Sequence, residues 1–209
     1  MTEAAFALRG GHLALDFANT VGWHAREEQD EYLTSYGRVL DWARQTGVLT
    51  PEQGDRLLVA ANTHPAMANN ALLATVAVRE AIYHLFSALA AGRSLPDDAL
   101  ATLNATLTAA LGHLRLAVSA TGPTWTWADD GEAFDRPLWP VVRAASELLT
   151  SPDRARVREC AGTGCGWLFL DTSRNGTRRW CDTRDCGNRE RLRRHYARQK
   201  RLVSRKKGD

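Results

Sequence analysis

Four cysteines, all of those in the 209-residue chain, fall into two pairs with the same internal spacing: Cys160 and Cys165, then fifteen residues, then Cys181 and Cys186. Four thiolates delivered from two short loops make a closed tetrahedral sulfur site. That donor set suits zinc, a borderline-soft ion without redox chemistry or a d-electron geometry to satisfy. Two disulfides or four separate buried thiols are the alternatives. Met1 to Gly11 carries Glu3 and Arg9 and no apolar run of signal-peptide length, so an oxidising compartment is not expected. Cysteines paired in this way in a cytoplasmic chain are more often metal ligands than bridges. A site closed by four protein ligands has no open position for a metal-bound hydroxide.

The residues between and after the pairs define what must hold them. Gly166 to Asp171 is an aromatic and aliphatic run, Asn175-Gly176 is a turn signal, and Thr177 to Trp180 is a return run. This pattern predicts a short β-hairpin whose two ends each deliver a cysteine pair. Beyond Cys186 the period becomes helical: Leu192, Tyr196 and Val203 lie near one side, with arginines and lysines around the rest. The expected unit is a hairpin, a metal and a basic helix. At fewer than 60 residues it is expected to fold on its metal and to unfold without it, sparing the rest of the chain.

Cys165-Gly-Trp-Leu-Phe-Leu-Asp-Thr-Ser-Arg-Asn, Arg179-Trp180-Cys181 and Cys186-Gly187-Asn188-Arg189 together resemble the CGNR zinc finger, over essentially its whole length. Upstream, the Leu15-Asp-Phe-x-Asn-Thr20 segment resembles the start of the ABATE domain, which precedes this finger in a family regarded as stress-induced transcription regulators. The resemblance implies a structural Zn2+ on Cys160, Cys165, Cys181 and Cys186, and DNA as the partner.

Charge points the same way. Overall the chain is nearly neutral, at +3, but residues 151–209 hold 17 Lys and Arg against 7 Asp and Glu, a net +10 that leaves −7 on residues 1–150. A basic tail on an acidic body reads as a polyanion-binding element. The candidate nucleic-acid contacts are Arg174, Arg178, Arg179, Arg189, Arg191, Arg193, Arg194, Arg198, Lys200 and Arg201. The same asymmetry raises autoinhibition, with the acidic body holding the basic finger. A second reading makes the finger a protein-interaction module that docks on an acidic protein or on RNA.

Residues 1–150 read as a mainly helical domain with a small β-hairpin, which with the finger at 151–209 gives an α+β chain of two domains. Helices are expected from Ser35 to Gly47, from a Thr50-Pro51-x-Gln53 capping box to His64, from Ala66 to Ala91, from Asp97 onward and from Pro137 to Leu149. Leu114 to Ser119 and Thr124 to Trp127 read as strands, with Trp125 and Trp127 directed to the core; Asp129 to Glu132 reads as an acidic loop. Leu13 to Phe17 alternates, and we read a short strand running into a helix. Asp16 and Asn19 are candidate ligand contacts for a small-molecule effector, or ties that anchor the chain start. Arg79 is a ligand contact or half of an internal ion pair. The composition is 44% hydrophobic and 24% charged with no run of eighteen apolar residues, so a cytoplasmic protein outside the membrane is expected. Phosphate-binding loops, zinc-protease motifs and nucleophile elbows are missing, and an enzyme is not expected.

Overall fold

The computed structural model describes residues 4–128 and 131–206, with side chains as far as Gln199. Asp129 and Asp130 of the acidic loop, the side chains from Lys200 onward and residues 207–209 lie outside it. Among the described residues six α-helices build the body: α1 Leu13–Ala18, α2 Tyr36–Gln45, α3 Pro51–Thr63, α4 Pro65–Ala90, α5 Asp97–Leu111 and α6 Leu138–Thr150. Two antiparallel pairs accompany them: β1 Val21–Gly22 with β2 Asp30–Glu31, and β3 Leu114–Ser119 with β4 Gly122–Trp127. A third pair, β5 Val157–Glu159 with β6 Leu168–Leu170, and the helix α7 Asn188–Lys206 complete the chain.

The helix starts are written locally. Ser35 accepts the Arg38 N–H to open α2. Thr50 and Gln53 exchange side-chain and backbone bonds in a full capping box, with Pro51 in the first turn of α3. His64-Pro65 ends α3 and begins α4 at once. By length and composition α4 is apolar enough to cross a bilayer, yet more than half of that window is buried within the protein. It runs through the body as the central core helix, touching α1, α2, α3, α5 and α6. Ile82, Leu85 and Phe86 on α4 share one apolar core with Phe17, Trp42 and Trp139. Each such side chain contributes roughly 1.5–3 kcal/mol by leaving water.

Two expectations are corrected here. Leu13 to Phe17 is helical from its start: the His12 side chain caps α1 by accepting the Ala14 N–H, and Ala14, Leu15, Phe17 and Ala18 are all buried. The alternation of Leu13, Leu15 and Phe17 suggested a strand, but the buried set is 14, 15, 17 and 18, which is helical spacing. Trp125 is 55% exposed, with the Arg143 guanidinium 5.8 Å from its ring, while Trp127 packs on Trp139. The ribbon of β3 and β4 overhangs the body, so only its base reaches the core.

The hairpin of the finger is also displaced from its expected position. Its strands are β5 and β6, paired Val157 to Leu170 and Glu159 to Leu168, so the loop between them carries Cys160 and Cys165 together. The return run forms no strand among the described residues; its backbone meets the hairpin loop where the Ala161 N–H bonds the Arg179 carbonyl. Val157 and Leu168 lie in the same core as the body helices, and β5 and β6 contact α4 and α1.

Candidate metal centre and nucleic-acid interface

The four cysteines converge on one point. Their sulfurs all lie within 4.8 Å of one another, every one of them buried. Cys181 Sγ is 3.7 Å from both Cys165 Sγ and Cys186 Sγ. A tetrahedron with Zn–S bonds of about 2.3 Å has edges of about 3.8 Å, so these separations fit the ion.

Two different local structures deliver the ligands. In the β5–β6 loop the Cys160 N–H bonds the Trp167 carbonyl at 2.8 Å and the Cys165 N–H bonds the Gly162 carbonyl at 3.0 Å. Gly166 takes φ +71, and a Cβ there would stand 2.7 Å from the Ala25 backbone nitrogen, so only glycine lets the finger approach the body this closely. The second pair enters through a single wide turn, Thr183–Gly187, opened by Asp182, and runs straight into α7. Backbone N–H groups of Gly162 and Cys181 point at Cys160 Sγ at 3.4 and 3.3 Å.

Electrostatics calls for a cation at the centre. Hydrogen bonding from Cys165 and Cys181 favours the Cys160 thiolate and lowers its pKa. Hydrogen bonding to Cys160 raises the Cys165 thiol to about 12 and also raises Cys181; burial and the Cys160 charge raise Cys186. Four thiolates this close repel one another and cannot all ionise on protein interactions alone. A divalent ion in their midst removes that conflict. Cys160, Cys165, Cys181 and Cys186 hold a structural Zn2+, and Trp167 and Phe169 pack around them with Tyr32 and Trp180.

The finger is bonded to the body through groups that sequence reading assigned elsewhere. Asn19, a candidate ligand contact, is buried and reads Leu168 at both ends: its Nδ2 donates to the carbonyl at 2.8 Å and its Oδ1 accepts the N–H at 2.9 Å. Asp16 accepts the Gly10 N–H at 2.7 Å, and Gly10 in turn accepts the Leu170 N–H at 2.8 Å. Burial raises the Asp16 pKa against the pull of those N–H bonds. Arg79 is 2% exposed and donates Nε and Nη2 to Glu80 and Nη1 to Glu31. It is the internal ion pair. For Glu80, burial opposes ionisation, but the His24 hydrogen bond and the charges of His24 and Arg79 outweigh it and hold the pKa at about 2. Asp16, Asn19 and Arg79 therefore direct their polar atoms to protein partners.

Arg9, Trp23 and Asp171 belong to the site without having been anticipated. Arg9 pairs with Asp182 at 3.3 Å and Asp185 at 3.0 Å, so a base on the acidic body grips acids on the basic finger, the reverse of the autoinhibitory pairing expected from net charge. Trp23, at φ +56, lies under the guanidiniums of Arg26 and Arg189. Asp171 is fully buried and bonds the Ser173 hydroxyl and the Ser173 and Arg178 N–H groups, which hold its pKa down although burial opposes that. The Asp-x-Ser spacing is a turn signal that sequence reading could have used. A cavity of about 270 Å³ is lined by Arg9, Trp23 and Tyr32 together with Cys165, Cys181 and Cys186.

The basic residues divide into two groups. Arg178 faces inward: it lies over the Phe169 ring at 4.3 Å and donates to the carbonyls of Trp180, Arg9 and Cys181, so its guanidinium is a brace and not an exposed contact. Arg189 points its Nη2 at Cys186 Sγ, 3.8 Å away, pairs with Asp185 at 2.9 Å and covers Trp23. Arg193 pairs with Glu190 through both carboxylate oxygens, and Arg194 approaches the same carboxylate at 3.9 Å. Arg179 lies exposed beside Trp180. Arg174, Arg191 and Arg198 are exposed with no carboxylate partner among the described residues. Lys200 and Arg201 lie beyond the described side chains. Leu192 and Tyr196 do not pack on the hairpin and are 47% and 65% exposed.

The ABATE family model, described as "Putative stress-induced transcription regulator", matches residues 11–152. The CGNR zinc finger model matches residues 156–199. No curated protein matches the chain.

Proposed function

Because the chain belongs to the ABATE family and carries a CGNR zinc finger, we propose that it is a cytoplasmic, zinc-dependent transcription regulator that binds duplex DNA through α7. The observation that carries this reading is the contrast along that helix. Its root is fixed by the metal and by Arg189, and from there it carries Arg191 and Arg198 into solvent with no carboxylate partner among the described residues. Phosphate contacts from such arginines supply affinity, and the few side chains that reach base edges supply sequence preference. The zinc orients the helix and takes part in no reaction. We assign the chain a binding role, without catalysis.

Exposed Leu192 and Tyr196 favour one second reading, in which the same helix lays an apolar seam on a protein partner. Binding of zinc-loaded and chelator-stripped protein to duplex DNA across a salt series separates the two. The DNA reading expects zinc-dependent binding whose affinity falls steeply, each neutralised phosphate adding about 0.9 to the slope of log affinity against log salt. No binding by the zinc-loaded form, or binding indifferent to salt, overturns it. An effector-sensing role for the body has Asp16, Asn19 and Arg79 against it, since their polar atoms are occupied within the protein.

A further inference from the structure

We propose that the overhanging ribbon of β3 and β4 is a self-association surface, and that its occupant is the same ribbon of a second copy of this chain. The antiparallel register places Leu114 opposite Trp127, Leu116 opposite Trp125 and Val118 opposite Pro123. Residues two apart share a face, so these six side chains form one apolar face without a charge. Arg115, Ala117, Thr124 and Thr126 form the other. At its base the apolar face is covered, by Trp139 against Trp127. Toward its tip it is open: Leu116 is 67% exposed, Val118 89% and Trp125 55%.

Three properties point to a second copy. An isolated two-stranded ribbon is marginal in water, and among the described residues this one pairs with no third strand, so it gains most from a cover over its apolar side. Leu116, Val118 and Trp125 are exposed side by side on that face, and a contiguous exposed apolar patch marks an interaction site more often than scattered apolar residues do. The rim decides the occupant. Beside Trp125 stands Arg143 on α6, and one turn along that helix Glu147 pairs with it at 2.8 Å. A neutral apolar centre flanked by one charge of each sign is its own complement about a two-fold axis, where each Arg143 faces the other copy's Glu147. That pair carries no net charge for an acidic or a basic partner to answer. The assembly presents two fingers related by the same axis, the arrangement that reads paired half-sites on DNA. It does not depend on DNA being the ligand.

The test is sedimentation of the zinc-loaded full chain from micromolar to several hundred micromolar, beside two variants. Val118→Glu puts a carboxylate on the open apolar tip of each copy, and Thr124→Glu puts the same charge on the opposite face. Both positions are exposed, so neither change disturbs the core. The expected result is a reversible dimer for wild type and Thr124→Glu, and a dimer dissociation constant raised about tenfold or more for Val118→Glu. A wild type that stays monomeric throughout overturns the proposal. So does a dimer that survives Val118→Glu, or one that both variants weaken equally.

Discussion

The finger contains two regions that are attached to the molecule in opposite ways. From Val157 to Arg189 almost every turn of the chain is bonded inward, to the metal cysteines or to the body. Beyond Glu190, α7 leaves the turn at its root and carries the side chains of residues 191–199 into solvent. The first region spends its polar groups on position and the second keeps them for a partner. Arginine serves in both, so charge counted along the chain does not measure charge offered to a ligand.

The largest perturbation of that contrast is removal of the metal. Zinc contributes on the order of 10–16 kcal/mol in zinc-finger peptides. Here the loss is expected to divide the inward region unevenly, because β5 and β6 share the core of the body while the turn at Thr183–Gly187 lies outside that core and is held by the metal, Arg9 and Arg189. In chelator-stripped protein, or in Cys181→Ser, hydrogen exchange should rise through residues 181–199 and in the Cys160–Cys165 loop. Protection of α4 and α6 should persist, with β5 and β6 in between. Uniform loss of protection would mean that body and finger are one cooperative unit.

Next in size is the bond that carries the inward region. Asn19→Ala leaves the buried N–H and C=O of Leu168 without partners, which costs roughly 2–5 kcal/mol on denaturant unfolding. Zinc content should stay at one ion per chain, since no thiolate moves. Loss of zinc in this variant would show that docking on the body is needed to form the site.

A smaller effect separates the body's own charges from those of the finger. Glu80 ionises at about 2 in the folded chain against 4.5 as a free side chain. A depressed carboxylate pKa stabilises above the unfolded value, and that contribution disappears as pH falls from about 4.5 toward 2. Glu80→Gln should therefore lower stability near neutral pH, where Arg79 keeps only Glu31, and flatten the acid side of the curve. The difference between wild type and variant across that window, followed by urea unfolding, isolates the pair from thiolate protonation at the metal.

What could be read from residues alone follows from the range of the interactions. Cysteine spacing, the Thr50 to Gln53 box, the His64-Pro65 junction and the alternation around Trp125 are local chemistry, and the structure repeats them. The hairpin was misplaced because Asn175-Gly176 is a strong turn signal, whereas Val157-Arg-Glu is too short to announce a strand. Gly176 does turn, at φ +61, but inside a loop organised by Asp171. Asn19 finds its partner 149 residues away and Arg9 one of its own 176 away, and neither carries a local mark of that. The arginines illustrate the limit best: Arg178 and Arg191 look alike in sequence, and only the fold shows that one faces carbonyl groups and the other water.

That last distinction gives the finest test of the contrast. Arg191→Ala and Arg198→Ala remove exposed charges and should leave stability within about 0.5 kcal/mol of wild type. Each should lower the salt slope of DNA binding by about one when the residue meets a phosphate. Arg178→Ala removes an inward brace over Phe169 and should do the reverse, lowering the unfolding midpoint while leaving the slope unchanged in the fraction that remains folded. Arg189→Lys lies between: it keeps the charge but loses the planar group that covers Trp23 while reaching Asp185 and Cys186. If α7 is aimed by its root, this variant keeps the slope and lowers affinity at every salt concentration. An unchanged affinity would mean that the metal alone sets the direction of the helix.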